Sequence, residues 1–431
     1  MIETTEALLA EGTPVIAEAS FSYEGLFCSV DILKNFGGRR VELYEVKSST
    51  TEKEIYFHDI AYQYYVLTQL GFDVERACLV HINNKYVRRG ALDLQQLFHV
   101  ADLTEQVRAM QPQVEENLDR IEDYLSREDE PSDDIGPHCF SPYDCGFWGY
   151  CTRCLPKPNV FDVAALQKEK MFACYREGVV SFADLTACGR LNAKQRQQVE
   201  HELFGCPPAI DEDAIRQFLS RLSYPLYFLD FESFQPAIPL YDESRPFEQI
   251  VFQYSLHYIE REGGALQHRE FLAYPGEDPR RKLAEQLCRD IPRDVCTTAY
   301  NMTFEKGRIK ELAALYPDLA EHLMNIHDHI VDLMIPFRQR DYYCRAMQGS
   351  YSIKYVLPAL FPGDPSLDYH NLEGVQNGGD ALAVFGRMAD MAPDELALWR
   401  GRLLKYCGLD TFAMVKVWEK LNEAIGIAVR Y

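Results

Sequence analysis

The stretch YPLYFLDFESF, residues 224 to 234, sets Asp230 and Glu232 two apart in an apolar and aromatic run. Alternation along an extended strand turns Leu226, Phe228, Asp230 and Glu232 to one face. Two like charges that close resist burial unless a cation or hydrogen-bond donors keep them ionised. A divalent metal, a hard cation that prefers oxygen ligands, is one solution. Two later stretches add to the pair. AYNMTFEKGRI carries Asn301 and Glu305 at a strand-to-helix junction, where open α/β sheets place their ligands. LLKYCGLDTFAMV puts Tyr406 and Asp410 one helical turn apart on the same face.

The order D-x-E, then N-x-x-F-[D/E], then Y-x-x-x-D resembles the three exonuclease motifs of the DEDD superfamily in its tyrosine-bearing branch, built on an RNase H-like fold. IVDLM at 330–334 and GSYSIKYVLPAL at 349–360 resemble the segments between the second and third motifs of that family. The resemblance covers roughly residues 222–425. It implies that Asp230, Glu232, Glu305 and Asp410 hold two Mg²⁺ or Mn²⁺ ions, one activating water and the other stabilising the leaving 3′-oxygen, while Tyr406 orients the water. Glu305 stands where the family usually has Asp, and its extra methylene moves the carboxylate outward.

A second set of chemically capable residues lies earlier. In CSVDILKNFGGRRVELYEVKSST, Asp31 falls in one strand, and Glu45 and Lys47 share a face of the next. This D, then E-x-K across a hairpin, resembles the signature of PD-(D/E)xK nucleases. It implies metal binding by Asp31 and Glu45, and water polarisation or charge stabilisation by Lys47. Gln63 falls where RecB-like nucleases place a Gln on the following helix, whereas their partner tyrosine four residues on is Leu67 here. Glu18 and His58 are further metal-site candidates that read as structural.

Cys139, Cys145, Cys151 and Cys154 in HCFSPYDCGFWGYCTRC resemble the cysteine-rich end of RecB-like nucleases that carry an iron-sulfur cluster. Close thiolates suit a 4Fe-4S cluster or Zn²⁺. In those nucleases one ligand comes from upstream of the core and three from this end, so the resemblance implies that either Cys154 or Cys28 substitutes as the fourth ligand or that the first ligand is lost and no cluster binds, leaving free thiols.

The elements that must position these residues read as α/β. Extended segments over 15–49, a helix ending at Gly71 and the strand RACLVHIN form one mixed module, followed by a polar helix over roughly 101–126 and an acidic loop. Short amphipathic helices occupy 157–222. From Tyr224 a strand, a hairpin and then strands alternating with helices indicate a mixed sheet flanked by helices. The expected division is 1–156, a restriction-endonuclease-like module ending in the cysteine cluster; 157–222, a helical connector; and 223–431, an RNase H-like module. Taken together, the chain resembles the bacterial family catalogued as domain of unknown function 2779.

The 431-residue chain has a formal net charge of −22, which argues against a generally basic, phosphate-coating surface. Carboxylate-held metals can supply positive charge at a phosphate instead. The thirteen cysteines of a cytosolic-looking chain are not expected to form a disulfide framework. No apolar run reaches the roughly 18 residues of a membrane span, and the opening MIETTEALLAEG lacks the basic and apolar regions of a signal peptide, so a cytoplasmic protein with no membrane partner is expected.

The function expected is metal-dependent phosphodiester hydrolysis, 3′ to 5′ on single-stranded DNA or RNA, with a second nuclease centre at Asp31, Glu45 and Lys47. Arg308, Lys310, Arg338, Arg340, Tyr342, Tyr343, Arg345 and Lys354 interleave cations and rings as a single-strand track does. The alternative is a non-catalytic nucleic-acid-binding or scaffold protein with degenerate sites.

Overall fold

The computed structural model describes residues 1–429 and is mixed α/β. It divides into two compact units. The first comprises 1–134, 141–144 and 236–248; the second comprises 135–140, 145–235 and 249–431. The expected boundary at 156 therefore moves, because Cys139, Cys145 and the segment after them belong with the second unit. The expected connector also lies inside that unit, where Val160, Leu166, Cys174, Phe182, Leu185 and Val199 close their own apolar cluster.

The first unit holds a five-stranded sheet in the order β1 (Val15–Tyr23), β2 (Leu26–Gly37), β3 (Arg40–Lys47), β4 (Asp73–Ile82) and β5 (Phe98–Asp102). Only β3 and β4 run parallel, which requires the crossover helix Glu54–Gln69 between them. Ile60, Ala61, Val66 and Leu67 of that helix are fully buried against Val30, Leu43, Ala77 and Leu79 of the sheet. Leu67 is thus a core residue. The polar helix expected over 101–126 is instead β5 followed by two helices, Thr104–Ala109 and Gln111–Leu125. Pro112 explains the break: it lacks an N–H and is favoured in a first helical turn.

The second unit begins its strands with β6 (Ala209–Ile210), which later pairs with β12 (Tyr342–Tyr343). Its main sheet is built from β7 (Leu226–Phe234), β8 (Ile250–Ile259), β9 (Gln267–Leu272), β10 (Cys296–Ala299) and β11 (Ile330–Asp332), in the spatial order β11-β10-β7-β8-β9. The β8–β9 hairpin matches expectation. The strands β7, β10 and β11 are parallel.

The central strand β7 is buried on both faces, as its unbroken apolar run requires. Leu226 and Phe228 pack with Met414, Val417, Trp418 and Leu421 of the long helix Pro393–Ala424. Tyr227, Leu229 and Phe231 face the opposite helices, Arg280–Asp290, Thr303–Leu315 and Ala320–Asp328, through Leu283, Leu287, Ile309 and Leu323. Each such aliphatic or aromatic side chain contributes about 1.5–3 kcal/mol when fully buried. The helix Gly378–Arg387 closes the end of β7, where Phe385 stacks on Phe252 at 3.9 Å and meets Phe234 at 5.1 Å. Among the described residues no helix is long and apolar enough to cross a membrane.

Candidate metal centres

The carboxyl ends of β7, β10 and β11 lie side by side, with Ala299 of β10 beside Asp332 of β11 and Thr298 beside Phe228 of β7. The chain leaves β10 through Asn301, whose left-handed backbone (φ +69°) suits Asn better than most residues. The Asn301 N–H donates to Asp332 Oδ1 at 2.9 Å, and the Met334 N–H donates to the same oxygen at 3.0 Å. Buried Asp332 thereby sets the turn that starts the Thr303–Leu315 helix. Glu305, in the first turn of that helix, is only 2 % exposed. Asn301 itself is exposed, so its place here is in the backbone path rather than among the buried acids.

The helix Pro393–Ala424 starts at a proline and carries Asp394 and Glu395 in its first turn, where acids suit the helix dipole. It delivers Tyr406, Cys407 and Asp410 to the sheet. The Cys407 Sγ lies 3.8 Å from Asp230 Oδ2, and one donor atom each from Asp230, Glu232 and Cys407 falls within 4.8 Å of the others. The Tyr369 hydroxyl donates to Asp410 Oδ1 at 2.6 Å, and its ring meets that of Tyr406 edge-on at 6.1 Å.

Electrostatics shows that the four acids form one set. Burial pushes Glu232 up to about 8, with Asp410 and Glu305 adding repulsion and Lys354 opposing it. Burial likewise pushes Glu305 up to about 8, and Asp332 adds to it. Asp410 rises to about 6 through burial, held down by the Tyr369 and Tyr406 hydroxyls and by Lys354. Asp230 rises well above the usual carboxylate range through burial and then through Asp410, Glu232 and Glu305. Burial, followed by Asp230, Glu232 and Asp410, pushes the Cys407 thiol well above its usual range. The buried Glu305 Oε2 has no hydrogen-bond partner. An orphaned carboxylate oxygen is costly, and a divalent cation would satisfy it. The donor set, four carboxylates with hard oxygens, fits Mg²⁺ or Mn²⁺.

In the first unit, the β2–β3 ladder ends at Ile32–Tyr44 while β3 runs on to Lys47. Asp31 fills the gap: its Oδ2 accepts from the Val46 N–H at 2.6 Å. Lys47 Nζ donates to Glu45 Oε1 and to Asp59 Oδ2, each at 2.5 Å. Buried Gln63 donates to Glu45 Oε2 at 2.8 Å. Burial raises Glu45; the Lys47 and Gln63 hydrogen bonds hold it down, and Asp59 and Asp31 push it up. The sequence pattern thus brings Glu45, Lys47 and Gln63 together. Asp59 lies outside that pattern, although its place in the first turns of the helix after the lysine is a readable signal. Glu18 is exposed, with Ser29 as its hydrogen-bond partner at 3.4 Å, and His58 is part-buried.

The four clustered cysteines are free thiols. Cys139 and Cys145 pack among Phe140, Trp148, Phe161 and Phe172, whereas Cys151 and Cys154 are exposed. Tetrahedral zinc with Zn–S bonds of about 2.3 Å needs sulfurs about 3.8 Å apart. Among the described residues, groups of three or more donors within 4.8 Å occur at Asp230, Glu232 and Cys407 and at Glu52, His81 and His99, not at these thiols.

The expected nucleic-acid track needs correction. Tyr342 and Tyr343 are 7 % and 1 % exposed and serve the core, leaving no ring face for a base. Arg308 is spent on the Gln249 carbonyl and Glu311, Arg340 on the Gly349 carbonyl and the Tyr343 ring, and Arg345 on a two-pronged pair with Glu202. Lys310, Arg338 and Lys354 are exposed. Lys354 also lines a cavity of ≈580 Å³ with Phe361, Tyr369, His370 and Asn371. Tyr369 carries no signal in the sequence; it starts a short 3-10 turn, Tyr369–Asn371, and matters here through its bond to Asp410.

Comparison with known proteins supports a broad placement. Residues 227–352 match the model of a family described as Domain of unknown function (DUF2779). The matched stretch contains Asp230, Glu232, Asn301, Glu305 and Asp332, but not Tyr406 or Asp410. A relative in Mycoplasma genitalium, "Uncharacterized protein MG366", is 27 % identical over 215 residues, a match covering 46 % of this chain and 32 % of that protein. The chain thus spans about a third of that relative's length.

Proposed function

We propose that the second unit is a metal-dependent phosphodiesterase acting on the 3′ end of single-stranded DNA or RNA. The observation that carries this reading is the convergence of Asp230, Glu232, Glu305 and Asp410 at the carboxyl end of the sheet, with Glu305 Oε2 buried and unpartnered. Those four acids would hold Mg²⁺ or Mn²⁺, which when bound supplies charge neutralisation at the phosphate and a water of lowered pKa. Asp332 fixes the backbone that presents Glu305. Tyr369 and Tyr406 hold Asp410 by their hydroxyls, and Lys354 brings positive charge to the acidic mouth. The cavity beside Lys354 and Tyr369 is of a size that takes a nucleotide, since small-ligand sites run from about 300 to 1,000 Å³.

For the first unit the reading is a PD-(D/E)xK-like centre at Asp31, Glu45 and Lys47. A second reading, a degenerate centre that binds without hydrolysing, draws on the ion pairs that occupy Lys47 on both sides. For the clustered cysteines the free-thiol alternative is favoured, because no three of their sulfurs come within 4.8 Å of one another among the described donor groups.

The deciding experiment gives end-labelled single strands and Mg²⁺ or Mn²⁺ to the full chain and to Asp230→Ala and Lys47→Ala variants. Shortening from the 3′ end that Asp230→Ala abolishes supports the proposal. If the wild type degrades nothing, or both variants degrade as it does, the proposal fails.

A further inference from the structure

The first unit contains a cluster that the nuclease reading does not use. His81 of β4 lies directly opposite His99 of β5 in the antiparallel ladder, so both side chains leave the same face. Their ring centroids are 5.0 Å apart at 49°. Glu52, from the segment between β3 and the Glu54–Gln69 helix, joins them: one donor atom each from Glu52, His81 and His99 lies within 4.8 Å of the others.

The backbone builds this convergence rather than chance side-chain reach. The Ile82 N–H donates to the Ser49 carbonyl at 2.9 Å, fastening the segment before Glu52 to the end of β4. Ser49 Oγ donates to the Thr51 carbonyl at 2.7 Å and tightens the turn that presents Glu52. His81 is buried, and its Nδ1 lies 3.2 Å from the Ile82 carbonyl oxygen. A carbonyl only accepts, so that contact places the proton on Nδ1 and leaves the Nε2 lone pair available. Metal-binding histidines are oriented by this kind of bond on the nitrogen away from the ion. Lys47 pairs with His81 in the parallel ladder, but its ammonium is engaged by Glu45 and Asp59 and leaves little uncompensated positive charge to oppose a cation.

We propose that Glu52, His81 and His99 form a site for a divalent transition ion of the zinc class, separate from the four-carboxylate centre. Two borderline imidazoles beside one carboxylate favour Zn²⁺ over Mg²⁺, and three protein ligands leave a position for water or an anion. The bound ion clips the segment before the Glu54–Gln69 helix to β4 and β5, beside Lys47 on the same face. The proposal stands whether or not the chain is a nuclease, because its test reads metal rather than activity.

The test titrates Co²⁺ and Zn²⁺ into the chelator-treated full chain and into Glu52→Gln, His99→Gln, Asp230→Ala and Cys151→Ser variants. Glu52 and His99 are exposed, so these variants leave the core untouched, and circular dichroism verifies the fold. The wild type and the Asp230→Ala and Cys151→Ser chains are each expected to bind one equivalent with visible cobalt bands and no near-ultraviolet thiolate charge-transfer band, and any further equivalent at the four-carboxylate centre should be absent from Asp230→Ala. Glu52→Gln and His99→Gln should weaken it by more than the roughly 10–100-fold typical of losing an outer-shell partner. The proposal is overturned if no such equivalent binds, if it shows thiolate character, or if Glu52→Gln and His99→Gln bind as the wild type does.

Discussion

The two acidic centres solve the problem of buried charge in opposite ways. In the first unit each acid near Lys47 has its own counter-group: Glu45 is held by Lys47 and Gln63, Asp59 by Lys47, and Asp31 by a backbone N–H. In the second unit Asp230, Glu232, Glu305 and Asp410 face one another, with two tyrosine hydroxyls and the more distant Lys354 as their relief. A centre neutralised from within keeps its shape without a metal and must exchange partners to take one. A centre left repulsive is costly alone and gains the most from a cation. High metal affinity and low metal-free stability should therefore go together in the second unit and not in the first.

The largest effect expected is on hydrolysis: Asp230→Ala should lower 3′-end degradation at least about a hundredfold, the scale of losing one preorganised electrostatic contact in a transition state. Rates read from labelled strands with Mn²⁺ decide it, and a variant that keeps wild-type rates would place the chemistry elsewhere.

Next comes metal-linked stability. At a hundredfold excess over Kd, a ligand that binds only the folded state stabilises it by about 2.7 kcal/mol. Mn²⁺ should give a shift of that order in the wild type, and Asp230→Asn should remove it while stabilising the chelated protein. Equal shifts in both chains would break the contrast between the centres.

The pH dependence follows with its sign. Glu232 and Glu305 hold their protons to about 8 in the fold against 4.5 for a free glutamate. Between those values the unfolded chain has released protons that the folded chain retains, so metal-free stability should fall as pH rises from about 5 to 8. Thermal melts in chelator across that window test this, and Glu305→Gln should flatten the slope.

Lys47→Ala should destabilise the first unit by about 1–2 kcal/mol, because Glu45 loses a counter-charge while Gln63 still serves it. Its effect on 3′-end degradation should be small; a loss as large as that of Asp230→Ala would move the active centre to the first unit. The smallest effect expected is that of Tyr369→Phe, about 1 kcal/mol for one hydrogen bond to Asp410, seen as a several-fold weaker Mn²⁺ dependence.

Much of the second centre is legible in the order of its residues. A strand buried on both faces reads as an apolar run, and acids inside it stand out against that background, as Asp230 and Glu232 do. Asp410 is readable because a helix repeats every turn and Tyr406 precedes it by four residues. Tyr369 and Asp332's grip on Asn301 are hidden, since each acts across a distance along the chain that local periodicity does not encode. The basic track misleads for the same reason: Arg308, Arg340 and Arg345 look available in a string of letters, yet each is engaged by a carbonyl, an acid or a ring brought from elsewhere.

Sequence alone determined the α/β class, the alternation that places Glu45 beside Lys47 and Asp230 beside Glu232, and the pairing of Tyr406 with Asp410, because strand and helix periods are local properties of the backbone. Only the tertiary structure decided which charges would be neutralised. Lys47 meets Asp59, Glu305 is left with an orphaned oxygen, and His81 meets His99 and Glu52, because burial and counter-charge depend on chain segments that folding alone brings into contact.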